Sequence, residues 1–183
     1  MTKAKLNRDA LLAAMAGHVL AHGLNTASLR PLAKAAGTSD RMLIYHFGTK
    51  DKLVSELLQF LAAGLAERLT TALPQEKAPT VEACVSEIVT LVRTPDFAGY
   101  FRVWHDIVAS SAQGQPVHAA AGNAIIDGFL AWLESRLPDD QPDRRRTAAA
   151  MLTFIEGTVV MDAVDSGAIA DDGLAWLFDK QRM

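Results

Sequence analysis

The sequence predicts an all-α fold, and three observations carry that expectation. No stretch of the 183 residues alternates apolar and polar side chains with period two for long, as a half-buried strand would. Apolar residues recur instead at three- and four-residue spacing. Pro74, Pro79, Pro95, Pro116, Pro138 and Pro142 fall at the ends of those periodic segments, where a missing N–H is tolerated.

The best-punctuated elements begin at Ser28. Its hydroxyl is placed to cap a helix by accepting a backbone N–H, and Pro31 lies in the opening turn. Leu29, Leu32, Ala33 and Ala36 then form one narrow apolar face of mostly small residues, which lets helices approach closely. Gly37 is the expected left-handed terminator, and Ser39 is placed to cap a second helix from Asp40 to about His46. On that helix Leu43 and Phe47 can face inward. Arg41, Met42, Tyr45 and His46 then project outward, a mixture of donors and apolar surface that suits a DNA groove and its phosphate walls.

Thr49 caps a long helix opening Lys50-Asp51-Lys52-Leu53. Its free N–H groups and positive dipole end, beside Lys50, make a seat for a phosphate. This helix continues to Leu73, interrupted only by Gly64, and helices follow at Thr80 to Arg93, Asp96 to Ala112, Val117 to Leu137, Asp143 to Ser166 and Asp171 to Lys180. The chain is expected to divide into a helix-turn-helix domain over residues 1–52 and a helical body over 53–183.

Charge is distributed to match. The net charge is −3, but residues 1–52 hold eight Lys/Arg (Lys3, Lys5, Arg8, Arg30, Lys34, Arg41, Lys50, Lys52) against Asp9, Asp40 and Asp51, hence +5. The remainder carries −8, and an acidic body limits indiscriminate adhesion to DNA. Neither a long uncharged apolar run nor a signal-peptide pattern is present, so a soluble cytoplasmic protein without a membrane association is expected.

In the body, Phe97, Tyr100, Phe101, Trp104 and Val108 recur at helical spacing beside Arg102, His105 and Asp106. The stripe serves either as core or as the wall of a ligand pocket, since pockets are mostly apolar with a few convergent polar groups. The segment Ala148 to Val164 is apolar around much of its circumference, and Leu174, Trp176, Leu177 and Phe178 add a second apolar face. Such faces are expected to be covered by a partner.

Other chemistries find little support. His18 and His22 share a helix face but lack a third ligand, and Cys84 is alone, so neither a metal, a cofactor nor a disulfide is expected. His105-Asp106 resembles part of a catalytic pair, but no nucleophile in a strained turn accompanies it, so an enzyme is not expected.

RPLAKAAGTS from Arg30 and YHFGTKDKL from Tyr45, in order and without a gap, resemble the tetracycline-repressor (TetR) family of transcriptional regulators, matching its R-x-I-A-x-x-A-G-V-S and Y-H-F-x-x-K-x-x-L stretches. The resemblance covers roughly the first 60 residues and implies a first helix from Asn7 to His22, closed by Gly23. With it the count reaches about nine helices, as in the family. Three departures stand out: Arg41 where a small residue is usual, Met42 where Thr, Ser or Asn is usual, and Ile44 where a phosphate-holding Tyr is usual. The operator sequence of relatives is therefore not transferable.

The resemblance further implies a homodimer whose last two helices pair as a four-helix bundle and whose heads read a palindrome. Its half-sites would lie about 34 to 36 Å apart, or somewhat more. DNA contacts are placed at Ser28, Arg30, Thr38, Ser39, Asp40, Arg41, Met42, Tyr45, His46 and Lys50. Helix phase and family analogy place an unidentified effector against Phe60, Arg93, Phe97, Phe101, Trp104, His105, Asn123, Asp127 and Glu156. The expected function is a repressor released by that small molecule. The alternatives are an activator, or a helical small-molecule-binding protein with altered or lost operator binding.

Overall fold

The computed structural model describes residues 8–74 and 76–179. Lys3, Lys5 and the expected helix termini Asn7 and Lys180 lie outside the described residues. Among the described residues the regular elements are all helical. They are α1 (Arg8–His22), a 3₁₀ turn (Leu24–Thr26), α2 (Leu29–Ala35), α3 (Asp40–Phe47), α4 (Lys50–Ala72), α5 (Val81–Val92), α6 (Pro95–Ala112), α7 (Pro116–Arg136), α8 (Arg144–Ala163) and α9 (Gly167–Asp179).

Local chemistry explains most boundaries. Ser39 Oγ accepts the Met42 N–H at 3.3 Å, Thr49 Oγ1 the Lys52 N–H at 3.1 Å and Thr80 Oγ1 the Ala83 N–H at 3.1 Å. Ser28 departs from expectation: it holds the N-cap backbone conformation of α2, but its hydroxyl makes no capping hydrogen bond. Gly37 at φ +62° closes α2, with the Thr38 N–H bonded to Ala33 O at 2.9 Å and its own N–H to Lys34 O at 3.2 Å. These paired bonds satisfy carbonyls that the helix end would otherwise orphan. Helix α8 stops at Ala163 rather than Ser166 because Asp165 turns left-handed, at φ 57°, and the Ser166 N–H folds back to Met161 O. That reversal lets α9 start at Gly167, ahead of the expected Asp171.

The chain packs as two compact units. The first joins residues up to Glu67 with Ala98–Ile125. Its core holds Leu11, Met15 and Val19 of α1, Leu32 of α2, Leu43 and Phe47 of α3, and Leu53, Leu57 and Leu58 of α4. Val103 and Ile107 of α6 complete it, with Tyr100 and Trp104 packed against its edge. The expected aromatic stripe is therefore shifted, since Val108 is 47% exposed and the smaller Val103 and Ile107 are the side chains buried in this core. A Cβ on Gly99 would sit 2.8 Å from the carbonyl oxygen of Leu20, so only glycine lets the α6 backbone reach the last turn of α1. Helix α4 passes the expected 52/53 division without a break, and packing groups its residues up to Glu67 with the helix-turn-helix.

The second unit comprises Arg68–Phe97 and the described residues from Ile126 onward. It buries Leu69 of α4, Cys84, Val85 and Ile88 of α5, Leu133 of α7, and Met151 and Ile155 of α8. Helix α8 packs against both α5 and α9. Arg144 donates to the carbonyls of Glu134, Leu137 and Pro138, satisfying the last turn of α7. No described helix is long and apolar enough to cross a membrane.

Candidate nucleic-acid interface

Helix α3 is held by two side chains. Leu43 and Phe47 are buried at 0% and 1% exposure, one helical turn apart, which leaves the opposite face free of packing. Arg41, Met42 and Tyr45 occupy that face, and Tyr45 is 78% exposed. Ser28, Arg30, Ser39 and Asp40 are exposed nearby in sequence, Thr38 is half-buried in the turn, and Lys50 is exposed at the first position of α4.

His46 corrects the expectation that it projects outward. Its side chain is half-buried, with Nε2 enclosed and without a hydrogen-bond partner, and its ring meets Tyr45 edge-on with centroids 5.5 Å apart. Ile44 is likewise half-buried, so its place in the pattern is taken by apolar packing.

Arg8 is drawn away from any ligand. Its Nε donates to Glu56 Oε2 at 2.9 Å, its Nη2 pairs with Glu56 Oε1, and its Nη1 donates to the carbonyl of His46 at 3.0 Å. The guanidinium also lies 4.7 Å from the ring centroid of Phe47. The hydrogen bond to Glu56 raises its pKa further, so it stays charged but neutralised by its partner. Among the described residues of the head, Arg30, Lys34, Arg41, Lys50 and Lys52 are the exposed basic side chains besides the ion-paired Arg8.

Sequence reasoning missed the role of Asp106. Its Oδ2 accepts the Leu24 N–H at 2.7 Å and its Oδ1 the Asn25 side-chain N–H at 3.0 Å, while Arg102 donates to the carbonyl of Ala21 at 2.9 Å. Helix α6 thus clasps the connection between α1 and α2. No local signal could have shown this, because the partners lie 82 and 81 residues apart. It also removes Asp106 from any catalytic pairing with His105, whose Nε2 is buried without a partner. His18 and His22 stack with centroids 4.5 Å apart, and His22 Nδ1 donates to the carbonyl of His18.

The nine residues named for an effector fall into different surroundings. Phe60 and Trp104 pack on the edge of the first unit's core, Phe101 and His105 are half-buried, and Asn123 is exposed. In the second unit Phe97 is buried, Asp127 exposed and Glu156 half-buried. Arg93 is engaged: Nε and Nη2 grip Asp162 at 2.9 and 3.0 Å, and Nη1 reaches Asp171 at 2.8 Å. These bonds, led by the one to Asp162, raise its pKa. Arg93 fastens α5 to α8 and α9.

Residues 8–57 match the sequence profile of the bacterial regulatory proteins of the tetR family. The N-terminal domain is a TetR-family helix-turn-helix. A comparison with curated proteins finds no match. Solved structures extend the likeness over most of the chain. A transcriptional regulator from Rhodococcus sp. RHA1 is 23% identical, with 91% of this chain and 90% of that one covered at a TM-score of 0.68. Reduced NemR from E. coli is 17% identical, with 93% and 95% covered at 0.68. FadR from Bacillus subtilis, in complex with stearoyl-CoA, is 19% identical, with 93% and 97% covered at 0.60. The chain shares the fold of these solved structures over most of its length, and α2, α3 and the start of α4 lie within the residues that match the tetR-family profile.

Proposed function

We propose that this TetR-family protein is a homodimeric repressor that binds a palindromic double-stranded DNA operator and releases it when a small molecule enters the body. The observation that carries the reading is the unpacked face of α3, where Arg41, Met42 and Tyr45 stand exposed above a helix anchored by Leu43 and Phe47. Such a face can enter a major groove while the start of α4, with Lys50, meets a phosphate. Phosphate contacts supply register and salt-dependent affinity, and Arg41 supplies a donor fork for a base edge.

Dimerisation is supported by the apolar surface of the last two helices. Val160, Val164, Ile169 and Trp176 are all at least half exposed on α8, its end and α9. A second copy of the same helices would cover them about a two-fold axis. Effector release is supported by the continuity of the chain: α4 is one helix from Lys50 to Ala72, and α6 both lines the head's core and clasps the α1–α2 connection. A ligand that favours another placement of either helix shifts the heads, by no more than its differential affinity, about 1 to 3 kcal/mol.

The test is fluorescence anisotropy of a labelled duplex carrying the DNA upstream of the protein's own gene, titrated at two salt concentrations against random competitor. Saturable, salt-sensitive binding of two protomers or a multiple of two per site supports the reading. Binding no tighter than to random DNA, in a genome-wide selection of fragments as well, overturns it.

A further inference from the structure

The second unit contains a cavity of about 300 Å³ that none of the nine effector candidates borders. It lies between three helices, walled by Val85 of α5, Met151 and Phe154 of α8, and Leu174 and Phe178 of α9. Among the described residues its lining is apolar apart from Gln141 and Thr147, which are hydrogen-bonded to each other. Pockets for small molecules start at about 300 Å³ and combine an apolar body with a few placed polar groups. This cavity has that composition, with its polar groups gathered at one spot.

The hydrogen bonds already made at that spot decide what kind of polar group fits. The side-chain nitrogen of Gln141 donates to the carbonyl of Pro142 at 3.1 Å and to Thr147 Oγ1 at 3.1 Å. A carbonyl oxygen only accepts, so the amide orientation is fixed by chemistry, and both N–H groups are used. The Thr147 hydroxyl spends its own hydrogen on the carbonyl of Pro142, at 3.4 Å. What the pair has left is acceptor capacity: the Gln141 amide oxygen and the second lone pair of Thr147 Oγ1. A ligand hydroxyl would be satisfied there as a donor, whereas an ether oxygen in the same place would face lone pairs.

We propose that this cavity binds a small uncharged hydroxy-aromatic molecule, with its ring among Met151, Phe154 and Phe178 and its hydroxyl donating to Gln141 Oε1. Two phenylalanines and a methionine thioether favour an aromatic body over an aliphatic one of equal size. The hydroxyl fixes its orientation, because the opposite placement would bury the donor among apolar side chains. The site does not depend on the DNA-binding reading, and its occupancy is read on the protein alone.

The experiment uses the full chain labelled with ¹³C at its methionine methyl groups, because Met151 is a buried wall of the cavity. The Met151 signal is assigned by Met151→Leu and followed during titration with 4-ethylphenol and 4-ethylanisole. Both probes are uncharged at neutral pH and share one ring and one alkyl chain, so the comparison isolates the hydroxyl donor. The phenol shifts the Met151 methyl and binds about fivefold tighter than the ether. Ala150→Phe, at an exposed position of α8 that borders the cavity, abolishes the response while circular dichroism stays native. Gln141→Met removes the acceptor at similar size and brings phenol and ether within about twofold of each other. An unmoved Met151 methyl, a response that survives Ala150→Phe, an ether that binds as tightly as the phenol, or a preference unchanged by Gln141→Met overturns the proposal. Should either variant fail to fold, the preference for phenol over ether on the native chain decides the question.

Discussion

The carboxylate of Asp106 on α6 accepts the backbone N–H of Leu24 at 2.7 Å, in the turn that follows α1. The bond is part-buried and joins positions 82 residues apart in sequence. Its partner is a backbone donor, so removal of the carboxylate leaves an N–H with no local replacement. Asp106→Ala is expected to lower stability by about 1 to 3 kcal/mol, read from the urea midpoint at unchanged slope. A loss below about 0.5 kcal/mol would show that water replaces the carboxylate without cost.

Lys50 and Arg41 test the two kinds of DNA contact that the proposed function assigns to them. Lys50 stands at the first position of α4 and Arg41 on the open face of α3. Lys50→Ala should weaken binding to operator and random duplex alike and reduce the slope of log K against log salt by about one unit. Arg41→Ala should cost about 1 to 3 kcal/mol on the operator and relax the preference at one base position. Equal losses of Arg41→Ala on operator and random DNA would sink its base contact.

The apolar surface of α9 predicts an assembly defect. Trp176 is 60% exposed and Ile169 64% exposed, so a charge at either position is tolerated by a single chain. In the proposed two-fold bundle the same charge would meet its own copy across a desolvated face. Ile169→Glu should therefore turn a dimer into a monomer in sedimentation velocity while helicity is kept. A dimer that withstands both Ile169→Glu and Trp176→Glu would place the interface elsewhere.

Arg93 predicts a loss that lysine cannot repair. Its fork holds Asp162 through two nitrogens and Asp171 through a third. The site is partly exposed, with the arginine side chain at 32%, so solvent screening keeps the value of the network near about 1 kcal/mol. Arg93→Ala should lose about that much, leaving two carboxylates on α8 and α9 without their shared cation. Arg93→Lys should recover less than half, since a point charge cannot grip one carboxylate bidentately. Full recovery with lysine would reduce the network to simple charge balance.

Cys84 should be inert in the native protein. Burial raises its thiol pKa, an effect that the charge of Arg136 only partly offsets. The thiolate is the reactive form, so at pH 7.5 iodoacetamide should label the folded chain far more slowly than the chain in urea. Equal rates would mean that α5 opens readily around the thiol.

The head was legible because its signals are local. Ser39 and Thr49 cap the helices that follow them, Gly37 closes α2 with a positive φ, and Leu43 and Phe47 are buried as their spacing requires. Each of these choices is decided within one or two helical turns, where a residue's own backbone and its i+3 or i+4 neighbours set the outcome. Helix positions in the body were readable for the same reason, with prolines as punctuation. The capping role of Ser28 and the outward placement of His46 were misread, because the first needs a hydroxyl rotamer and the second a neighbouring core.

Only the tertiary structure decided which charged groups remain available. The sequence offers Arg8, Arg93 and Asp106 as equals of Arg41, Lys50 and Asp127, but Glu56, Asp162, Asp171 and the Leu24 N–H occupy the first three. These partners come from distant segments, and a charge engaged by one of them is no longer presented to DNA or ligand. Long-range packing likewise put Val103 and Ile107 rather than Val108 into the core. Amphipathic periodicity determines that a helix has an inner face; which residues meet across it depends on the register of helices far apart in the chain.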